Sequence, residues 1–231
     1  MKDTEKVFDR IAEAFGKARS RPWPDTMRFL ERFGEGVEVG MDLGCGAGRN
    51  IKPLLKIARR VYAVDVSEKM IEEARRATLE GDGGRVTFLK ADVRDLPIGD
   101  GEVQVALMVA VLHHISPREE RLKALEELRR VLSPGGEAEI MVWWRGAERF
   151  KKSDIRWEGA EEGDCILLWR WGVVKPVERF YHLYTPRELE KDLKETGFEV
   201  LRLEVEGENV VAWVRKPTSG GPRSRSGGTS L

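Results

Sequence analysis

Apolar runs of strand length alternate with helical stretches along most of the chain. Strands are predicted at 37–43, 60–65, 86–89, 103–109 and 138–143. The run 103–109 is apolar almost throughout, which is typical of a central parallel strand that is covered on both faces. Because helical stretches separate most of these strands, the pattern predicts βαβ units and a parallel sheet between two helix layers.

The C-terminal part of the chain has a different pattern. A helix is predicted at 186–196, followed by strands at 198–205 and 210–214 with a turn at 207–209 between them. Two strands joined by so short a turn are antiparallel neighbours. The predicted fold class is therefore α/β, with a Rossmann-like seven-stranded sheet that is mostly parallel and ends in an antiparallel hairpin.

The length and composition fit one large α/β domain. The chain has 231 residues, of which 41% are hydrophobic and 35% charged, so it can bury a full sheet. We expect a single domain over 1–215, with an N-terminal helical cap at 1–33 and a substrate-side insert at 145–180. The stretch 216–231 is rich in Gly, Ser and Arg, and we expect it to be a disordered tail.

Composition also narrows the choice of partners and compartment. No apolar run approaches the roughly 18 residues needed to span a bilayer, and the N-terminus has no apolar signal segment. We therefore expect a cytoplasmic protein with no membrane or DNA partner. The net charge is zero, so an RNA-binding surface would have to be a local patch. Cys45 and Cys165 are too few for a disulfide framework or a zinc site, and no metal is predicted.

The side-chain amides are scarce, since Asn50, Asn209 and Gln104 are the only ones in the chain. Few amides together with many Lys, Arg and Glu residues are typical of hyperthermophile proteins. We hypothesise a thermophilic source, which a melting midpoint below about 60 °C would count against.

A glycine-rich turn follows the first predicted strand, with Asp42, Gly44, Gly46 and Gly48 in the sequence Asp-Leu-Gly-Cys-Gly-Ala-Gly. Glycines at this place let the chain turn tightly and let a ligand approach the backbone closely. A nicotinamide-binding fold would have a third glycine where this chain has Arg49. The turn therefore favours a nucleoside cofactor without a pyrophosphate, such as S-adenosylmethionine.

Polar groups follow the next strands in the same way. Asp65 ends the second strand, where a carboxylate can accept both hydroxyls of a ribose. Asp92 follows the third strand beside Val93, where it could accept the adenine amino group, and Val109 ends the fourth. Since the carboxyl ends of parallel strands meet at one edge of the sheet, these residues are predicted to form the cofactor site.

Three further segments resemble the tRNA wobble-uridine methyltransferases, within the class I methyltransferases. They lie at 8–24, with Arg19 and a Pro-Trp-Pro sequence, at 110–136, with His113 and His114, and at 179–190. The resemblance covers residues from about 7 to 215. The chain departs from the family's pattern between Trp144 and Glu178, on the expected substrate side.

The resemblance implies S-adenosylmethionine as cofactor and the anticodon loop of tRNA as partner. It implies methylation of the carboxylate of 5-carboxymethyluridine to a methyl ester. It also implies a small zinc-binding activator subunit that pairs with the sheet edge. Two other functions share the cofactor motif: a small-molecule methyltransferase of the quinone or sterol type, and a nucleoside-binding module without turnover.

The candidate catalytic residues are Arg19, His113 and His114. A carboxylate substrate is already ionised at neutral pH and needs no base, so positioning would be the main task. Arg19 could hold a carboxylate of the cofactor or the substrate through a bidentate fork. The two histidines follow the fourth strand, where this class of enzyme faces its substrate, and we expect at least one of them to contact it.

Overall fold

The computed structural model of the chain describes residues 2–78, 84–151 and 155–218. Two helices precede the first strand, α1 (Lys2–Ala18) and α2 (Pro24–Leu30). The central part of the chain then alternates strands and helices as predicted: β1 (Val37–Leu43), α3 (Ile51–Leu55), β2 (Ala58–Asp65), α4 (Glu68–Thr78), β3 (Val86–Lys90), β4 (Val103–Val109), a 3-10 turn (Leu112–His114), α5 (Arg118–Val131) and β5 (Leu132–Trp143).

The C-terminal part adds a second, smaller sheet before it completes the first. Its elements are a 3-10 turn (Glu148–Lys151), β6 (Arg156–Trp157), β7 (Asp164–Trp169), β8 (Val177–His182), α6 (Pro186–Glu195), β9 (Glu199–Glu206) and β10 (Asn209–Arg215). The main sheet has seven strands in the order β3-β2-β1-β4-β5-β10-β9. The strands from β3 to β5 pair in parallel, and β10 is antiparallel to both β5 and β9. The predicted fold class is therefore confirmed.

The core explains why β4 is apolar throughout. Ala106 and Met108 point to one face of the sheet, where they pack in a cluster that includes Leu125 of α5. Val105 and Leu107 point to the other face and pack in a cluster that includes Phe29, Leu54 and Ala74 from helices α2, α3 and α4. Since both faces are covered, the strand has no solvent side on which polar residues could alternate.

The small sheet is antiparallel, in the order β6-β7-β8, and the sequence analysis did not predict it. Its strands alternate an apolar inner face with a mixed outer face. Cys165, Leu167, Tyr181 and Val177 share the inner face. The segment that the sequence analysis treats as an insert is therefore a folded layer against the main domain.

A buried polar network fastens this layer to helices α5 and α6. His182 is fully buried, with Nδ1 2.7 Å from an oxygen of Asp164 and Nε2 2.6 Å from an oxygen of Glu188. The guanidinium of Arg121, also fully buried, donates to Glu161 at 2.5 Å. Atoms of Glu161, His182 and Glu188 that could bind a metal lie within 4.8 Å of one another. Because each already has a partner in the network, we interpret the cluster as an ion-pair fastening.

The chain remains ordered just past β10. The backbone N–H of Lys216 donates to the carbonyl of Gly136, and its Nζ donates to the carbonyls of Arg130 and Leu132. Lys216 is thus part of the folded domain, although the sequence analysis assigns it to the tail. The rest of that predicted tail, from residue 219 on, lies outside the described residues. Among the described helices, none has the length and apolar character needed to cross a membrane.

Candidate active site

A cavity of about 380 Å³ lies at the carboxyl ends of β1, β2 and β4, between α1 and strand β8. We group its lining residues by their place in the fold. Residues at the ends of β1, β2 and β3, which we call the acidic half, include Gly44, Gly46, Asp65, Asp92 and Val93, with Arg49 and Arg94 nearby in the sequence. Residues contributed by other segments, which we call the basic half, include Arg19, His113, His114, Arg149, Arg179 and Tyr181, with Glu208 as the partner of Arg149. Val109 also lines the cavity. Of the predicted site residues, only Asp42 and Gly48 are absent from this lining.

The glycine turn is shaped by close packing as well as by the cavity. Gly44 has a φ of +75°, and a Cβ there would lie 2.3 Å from Val111. Gly48 has a φ of +85°, and a Cβ there would lie 3.1 Å from the backbone of Ala74 in α4. Gly44 and Gly46 border the cavity, whereas Gly48 lets α4 pack against the turn. The contribution of Gly48 is therefore to packing, and a direct contact with a cofactor is not expected.

Asp65 is fixed at the end of β2 by the turn that follows it. One carboxylate oxygen accepts the N–H of Gly46 and the other accepts the N–H of Ser67, both at 2.9 Å. Burial raises the pKa of Asp65 to about 6. Each oxygen keeps a second lone pair, so the carboxylate can still accept two ligand hydroxyls.

Helix α1 is attached to this same corner of the cavity. The hydroxyl of Ser67, which caps α4 by accepting the N–H of Met70, donates to Asp9 of α1 at 2.5 Å. Phe8 and Phe15 of α1 line the cavity. The first helix thus forms one wall of the cavity and is held there by a specific polar contact.

Asp42 lies behind the glycine turn. Its side chain is buried and accepts a hydrogen bond from the amide of Asn50 at 3.3 Å. Burial raises the pKa of Asp42 to about 7. One oxygen of Asp42 is thus directed at the start of α3 and supports the glycine turn, and the contact of Asp42 with the cofactor stays a prediction.

Asp92 does reach the cavity, but it already has a strong partner. Both carboxylate oxygens accept hydrogen bonds from the guanidinium of Arg94, the shortest at 2.8 Å. An adenine amino group would share these oxygens with Arg94. Val93 beside it is buried and offers an apolar surface for a base.

The basic half contains two histidines with opposite hydrogen-bonding roles. Nδ1 of His113 accepts the backbone N–H of Trp143 at 3.1 Å, so a neutral His113 carries its proton on Nε2. Nδ1 of His114 lies 3.1 Å from the carbonyl oxygen of Phe180. A carbonyl only accepts, so His114 carries its proton on Nδ1. His113 therefore presents a donor, and His114 an acceptor, at Nε2.

Both histidines are neutral at physiological pH. Burial is the largest cause, and it lowers the pKa of His113 well below its ordinary value and that of His114 to about 3. Arg179 lowers the pKa of each further by charge repulsion. Neither histidine is suited to take a proton from a weakly acidic substrate.

Arginines and aromatic rings alternate along the wall of the basic half. Arg179 lies 5.0 Å from the ring centre of Tyr181, and Tyr181 stacks on Trp143 at 4.4 Å with an angle of 5°. Arg149 lies 4.6 Å from Trp143 on the other side. Arg19, predicted from the sequence, approaches the same wall with its guanidinium 6.0 Å from the ring centre of Trp169.

Arg179 and Tyr181 were not among the predicted site residues. A sequence signal for them does exist, because Val177, Arg179 and Tyr181 alternate along a strand and so share its inner face. A charged residue at an inward position between two apolar ones is unusual unless it has a partner or a function. That signal depends on recognising β8, which the sequence analysis did not do.

Sequence comparisons show which known proteins this chain is similar to. A family model described as a methyltransferase domain matches residues 41–136. A protein of Encephalitozoon cuniculi, named as a methyltransferase, is 31% identical over 91% of this chain and 94% of its own. The tRNA (carboxymethyluridine(34)-5-O)-methyltransferase of Schizosaccharomyces pombe is 28% identical over 85% of this chain and 88% of its own.

The chain belongs to the tRNA wobble-uridine methyltransferase family, within the class I methyltransferases. The mouse tRNA (carboxymethyluridine(34)-5-O)-methyltransferase ALKBH8 is a larger relative. The two proteins are 31% identical. The match covers 83% of this methyltransferase but only 27% of the mouse protein.

Solved structures agree on the fold of this methyltransferase. The CcbJ methyltransferase of Streptomyces caelestis superposes with a TM-score of 0.73 at 19% identity, over 93% of this chain and 99% of that one. A Haloferax volcanii methyltransferase, solved in complex with the activator Trm112, gives 0.69 at 18% identity, over 94% and 99%.

The cofactor of this methyltransferase is S-adenosylmethionine, and the cavity fits it. The volume is in the range of ordinary ligand pockets. The side chain of Asp65 faces the cavity between two backbone donors. Several buried polar atoms along the cavity have no hydrogen-bond partner within the described ranges: Trp23 Nε1, His113 Nε2, Arg179 Nε and the Tyr181 hydroxyl. Such atoms are costly to leave unpaired, which favours a polar ligand at this place.

Proposed function

We propose that this methyltransferase methylates the carboxylate of 5-carboxymethyluridine at the wobble position of tRNA, giving the methyl ester. The observation that carries the proposal is the chemistry of the basic half, which offers cations and neutral donors and in which His114, the histidine that presents an acceptor, is a weak base. His113 and His114 have strongly lowered pKa values, and burial raises the pKa of Tyr181 to about 12. A hydroxyl or amine substrate would need a base, whereas a carboxylate is ionised already.

The roles of the acidic half follow from its groups. We propose that Asp65 accepts the ribose hydroxyls of the cofactor, that Gly44 and Gly46 allow close approach, and that Val93 and Asp92 contact the adenine. Of the basic half, Arg19 would pair with the carboxylate of the cofactor's amino acid part, and the other residues would face the substrate. When bound, S-adenosylmethionine would supply an electrophilic methyl group, and because the substrate is a carboxylate, no residue of the cavity would have to move a proton.

The rival functions account less well for the cavity. The cavity has apolar as well as charged lining residues, but a quinone or sterol substrate would leave the buried Arg179 without an anionic partner. A nucleoside-binding module without turnover would have no need for a second, basic half beside the cofactor. The named activities of the S. pombe and mouse relatives also favour a tRNA substrate.

The tRNA would contact the small sheet, which carries two of the exposed large apolar side chains. Trp157 and Trp171 are 51% and 52% exposed. An exposed tryptophan can stack on an unpaired base, with a contribution of about 1–3 kcal/mol. We propose that this surface, at the rim of the predicted insert, receives bases of the anticodon loop.

A small zinc-binding activator is the proposed protein partner. The Haloferax volcanii methyltransferase with the same fold was solved together with the activator Trm112. In this chain β3 and β9 are the two edges of the main sheet. An edge strand has unpaired backbone groups, so either one could add a strand from a partner.

The test is a methyl-transfer assay with radiolabelled S-adenosylmethionine and tRNA that contains 5-carboxymethyluridine, with and without a Trm112-type activator. Nucleosides are separated after digestion. The proposal predicts label in the methyl ester of the wobble uridine and none with Asp65→Ala. Measurable cofactor binding without label in the tRNA, whether or not the activator is present, would contradict the RNA assignment.

A further inference from the structure

The basic half contains a buried cation without a compensating anion. This cation is Arg179, a buried residue that is 8% exposed. Within residues 2–78, 84–151 and 155–218, no carboxylate forms an ion pair with it, and its Nε has no hydrogen-bond partner. Its neighbours are the rings of Trp169 and Tyr181, at 4.8 and 5.0 Å from the guanidinium carbon. Cation–π contacts compensate only part of the cost of burying a charge.

The surrounding charges make the need for an anion greater. Arg19 and Arg149 both repel Arg179, and burial together with this repulsion lowers the pKa of its guanidinium. Arg149 has a partner of its own, Glu208, at 2.8 Å. Arg179 has no such partner among the described residues, so an anionic ligand would compensate its charge.

Two further polar groups without described partners belong to residues that line the same cavity. The hydroxyl of Tyr181 is fully buried and has no partner among the described residues, and its raised pKa keeps it protonated. Nε2 of His113 is likewise buried, protonated and without a described partner. The rings of His113 and Tyr181 are 5.3 Å apart. Arg179 and Nε2 of His113 can only donate, and the hydroxyl of Tyr181 can donate as well as accept, so the group is rich in donors and favours a carboxylate over a neutral amide.

We propose that Arg179, Tyr181 and His113 form an anion subsite that holds the carboxylate of the substrate, separate from the group that holds the cofactor's carboxylate. The inference rests on the proposed function for the identity of the substrate. Donors on one carboxylate oxygen leave the other free to attack the methyl group. Once the ester has formed, its charge is gone, so the subsite releases the product more readily than it binds the substrate.

Binding measurements test this without turnover. Wild-type protein saturated with S-adenosylhomocysteine is titrated with the nucleoside 5-carboxymethyluridine and with 5-carbamoylmethyluridine, its neutral amide of nearly the same shape. We expect the acid to bind about tenfold to a hundredfold more tightly. Arg179→Met should abolish that preference and Tyr181→Phe should reduce it. The matched control is Arg156→Met, on the same small sheet, whose arginine is 53% exposed and paired with Glu158 and Glu178.

Two further readouts separate this subsite from other roles of Arg179. Affinity for S-adenosylhomocysteine should not change in Arg179→Met. A weakened affinity, with the acid preference intact, would mean that Arg179 holds the carboxylate of the cofactor, and would overturn the proposal. The melting temperature of ligand-free Arg179→Met should not fall, since the variant loses an uncompensated charge. Arg179→Lys, which keeps the charge and loses the fork, should retain an intermediate preference.

The outcomes also separate this inference from the proposed function. If tRNA is methylated but Arg179→Met still prefers the acid, the subsite is wrong and the function stands. If tRNA is not methylated but the preference depends on Arg179, the subsite stands and belongs to a different carboxylate substrate. Equal binding of acid and amide by the wild type overturns the inference directly.

Discussion

The acidic half of the cavity is built from residues that directly follow parallel strands, whereas the basic half is assembled from segments far apart in the sequence. Asp65 is the last residue of β2, and Asp92 lies two residues after β3. Arg19 follows α1, Arg149 lies in a 3-10 turn, and Arg179 lies in the middle of β8. A nucleoside site can thus be read from strand ends, while an anion site of this kind exists only once the small sheet has packed against the main one.

The largest expected effect is on the acidic half alone. Asp65→Ala removes the acceptor for the ribose hydroxyls and for the N–H groups of Gly46 and Ser67. Two hydrogen bonds to a charged group contribute about 3 kcal/mol or more, so cofactor affinity should fall at least about a hundredfold. Calorimetric titration measures this, with Asp100→Ala at an exposed position as control. An affinity within threefold of wild type would refute the assigned role.

The buried network that holds the small sheet in place should be sensitive to mutation independently of the cofactor site. His182→Ala removes one partner from the buried network with Asp164 and Glu188. Leaving buried charges unpaired costs about 3–5 kcal/mol, so chemical denaturation should show a large loss of stability. His182→Gln, which keeps one donor, should lose less. If the two halves are as separate as we describe, the affinity for S-adenosylhomocysteine, measured well below the melting temperature, should change little. A loss of affinity in step with the loss of stability would show that the two halves are not independent.

A smaller effect is expected in the packing behind the glycine turn. Gly48→Ala forces a side chain into the left-handed region and against Ala74, at a cost of about 1–2 kcal/mol. Gly34→Ala is the matched control, since Gly34 is exposed and a Cβ there would contact nothing within 4 Å. Thermal unfolding should separate the two variants. Equal melting temperatures would show that the turn tolerates a side chain.

Cofactor binding should depend on pH through Asp65. Its pKa is raised from 3.8 to about 6 in the folded protein. Asp65 therefore stabilises the ligand-free fold at pH below 3.8, and this contribution is lost as the pH rises through 6. Ribose hydroxyls favour the ionised form, so affinity should fall about tenfold per unit below pH 6. The stabilisation by S-adenosylhomocysteine should accordingly be greater at pH 7 than at pH 5, and the reverse order would contradict the assignment.

The smallest effect concerns the outer rim of the basic half. Trp171→Ala removes an exposed ring and should weaken tRNA binding about fivefold, the low end of what one stacked base contributes. Binding of the free nucleoside 5-carboxymethyluridine should stay the same, since the ring lies outside the cavity lining. Filter binding at fixed salt measures the first and calorimetry the second. Weaker binding of both the tRNA and the nucleoside would mean that Trp171 supports the structure of the cavity and does not contact the RNA.

The parts that sequence could predict are those that depend on neighbours along the chain. Asp65, Gly44 and Gly46 follow from strand ends and turn geometry. The position of Asp42 beside the turn does not reveal that its side chain is hydrogen-bonded to Asn50. Arg179 could be distinguished from Arg156 only by recognising strand β8, in which Arg179 alternates with two inward apolar residues. Only the tertiary contacts show that one is paired at the surface and the other is buried without a carboxylate.

A crystal structure of the protein with S-adenosylhomocysteine and 5-carboxymethyluridine would test the division of the cavity most directly. The account predicts the ribose of the cofactor on Asp65 and the carboxylate of the uridine within hydrogen-bond distance of Arg179 and Tyr181. A uridine whose carboxylate lies away from Arg179, or a cofactor whose own carboxylate occupies that place, would contradict it.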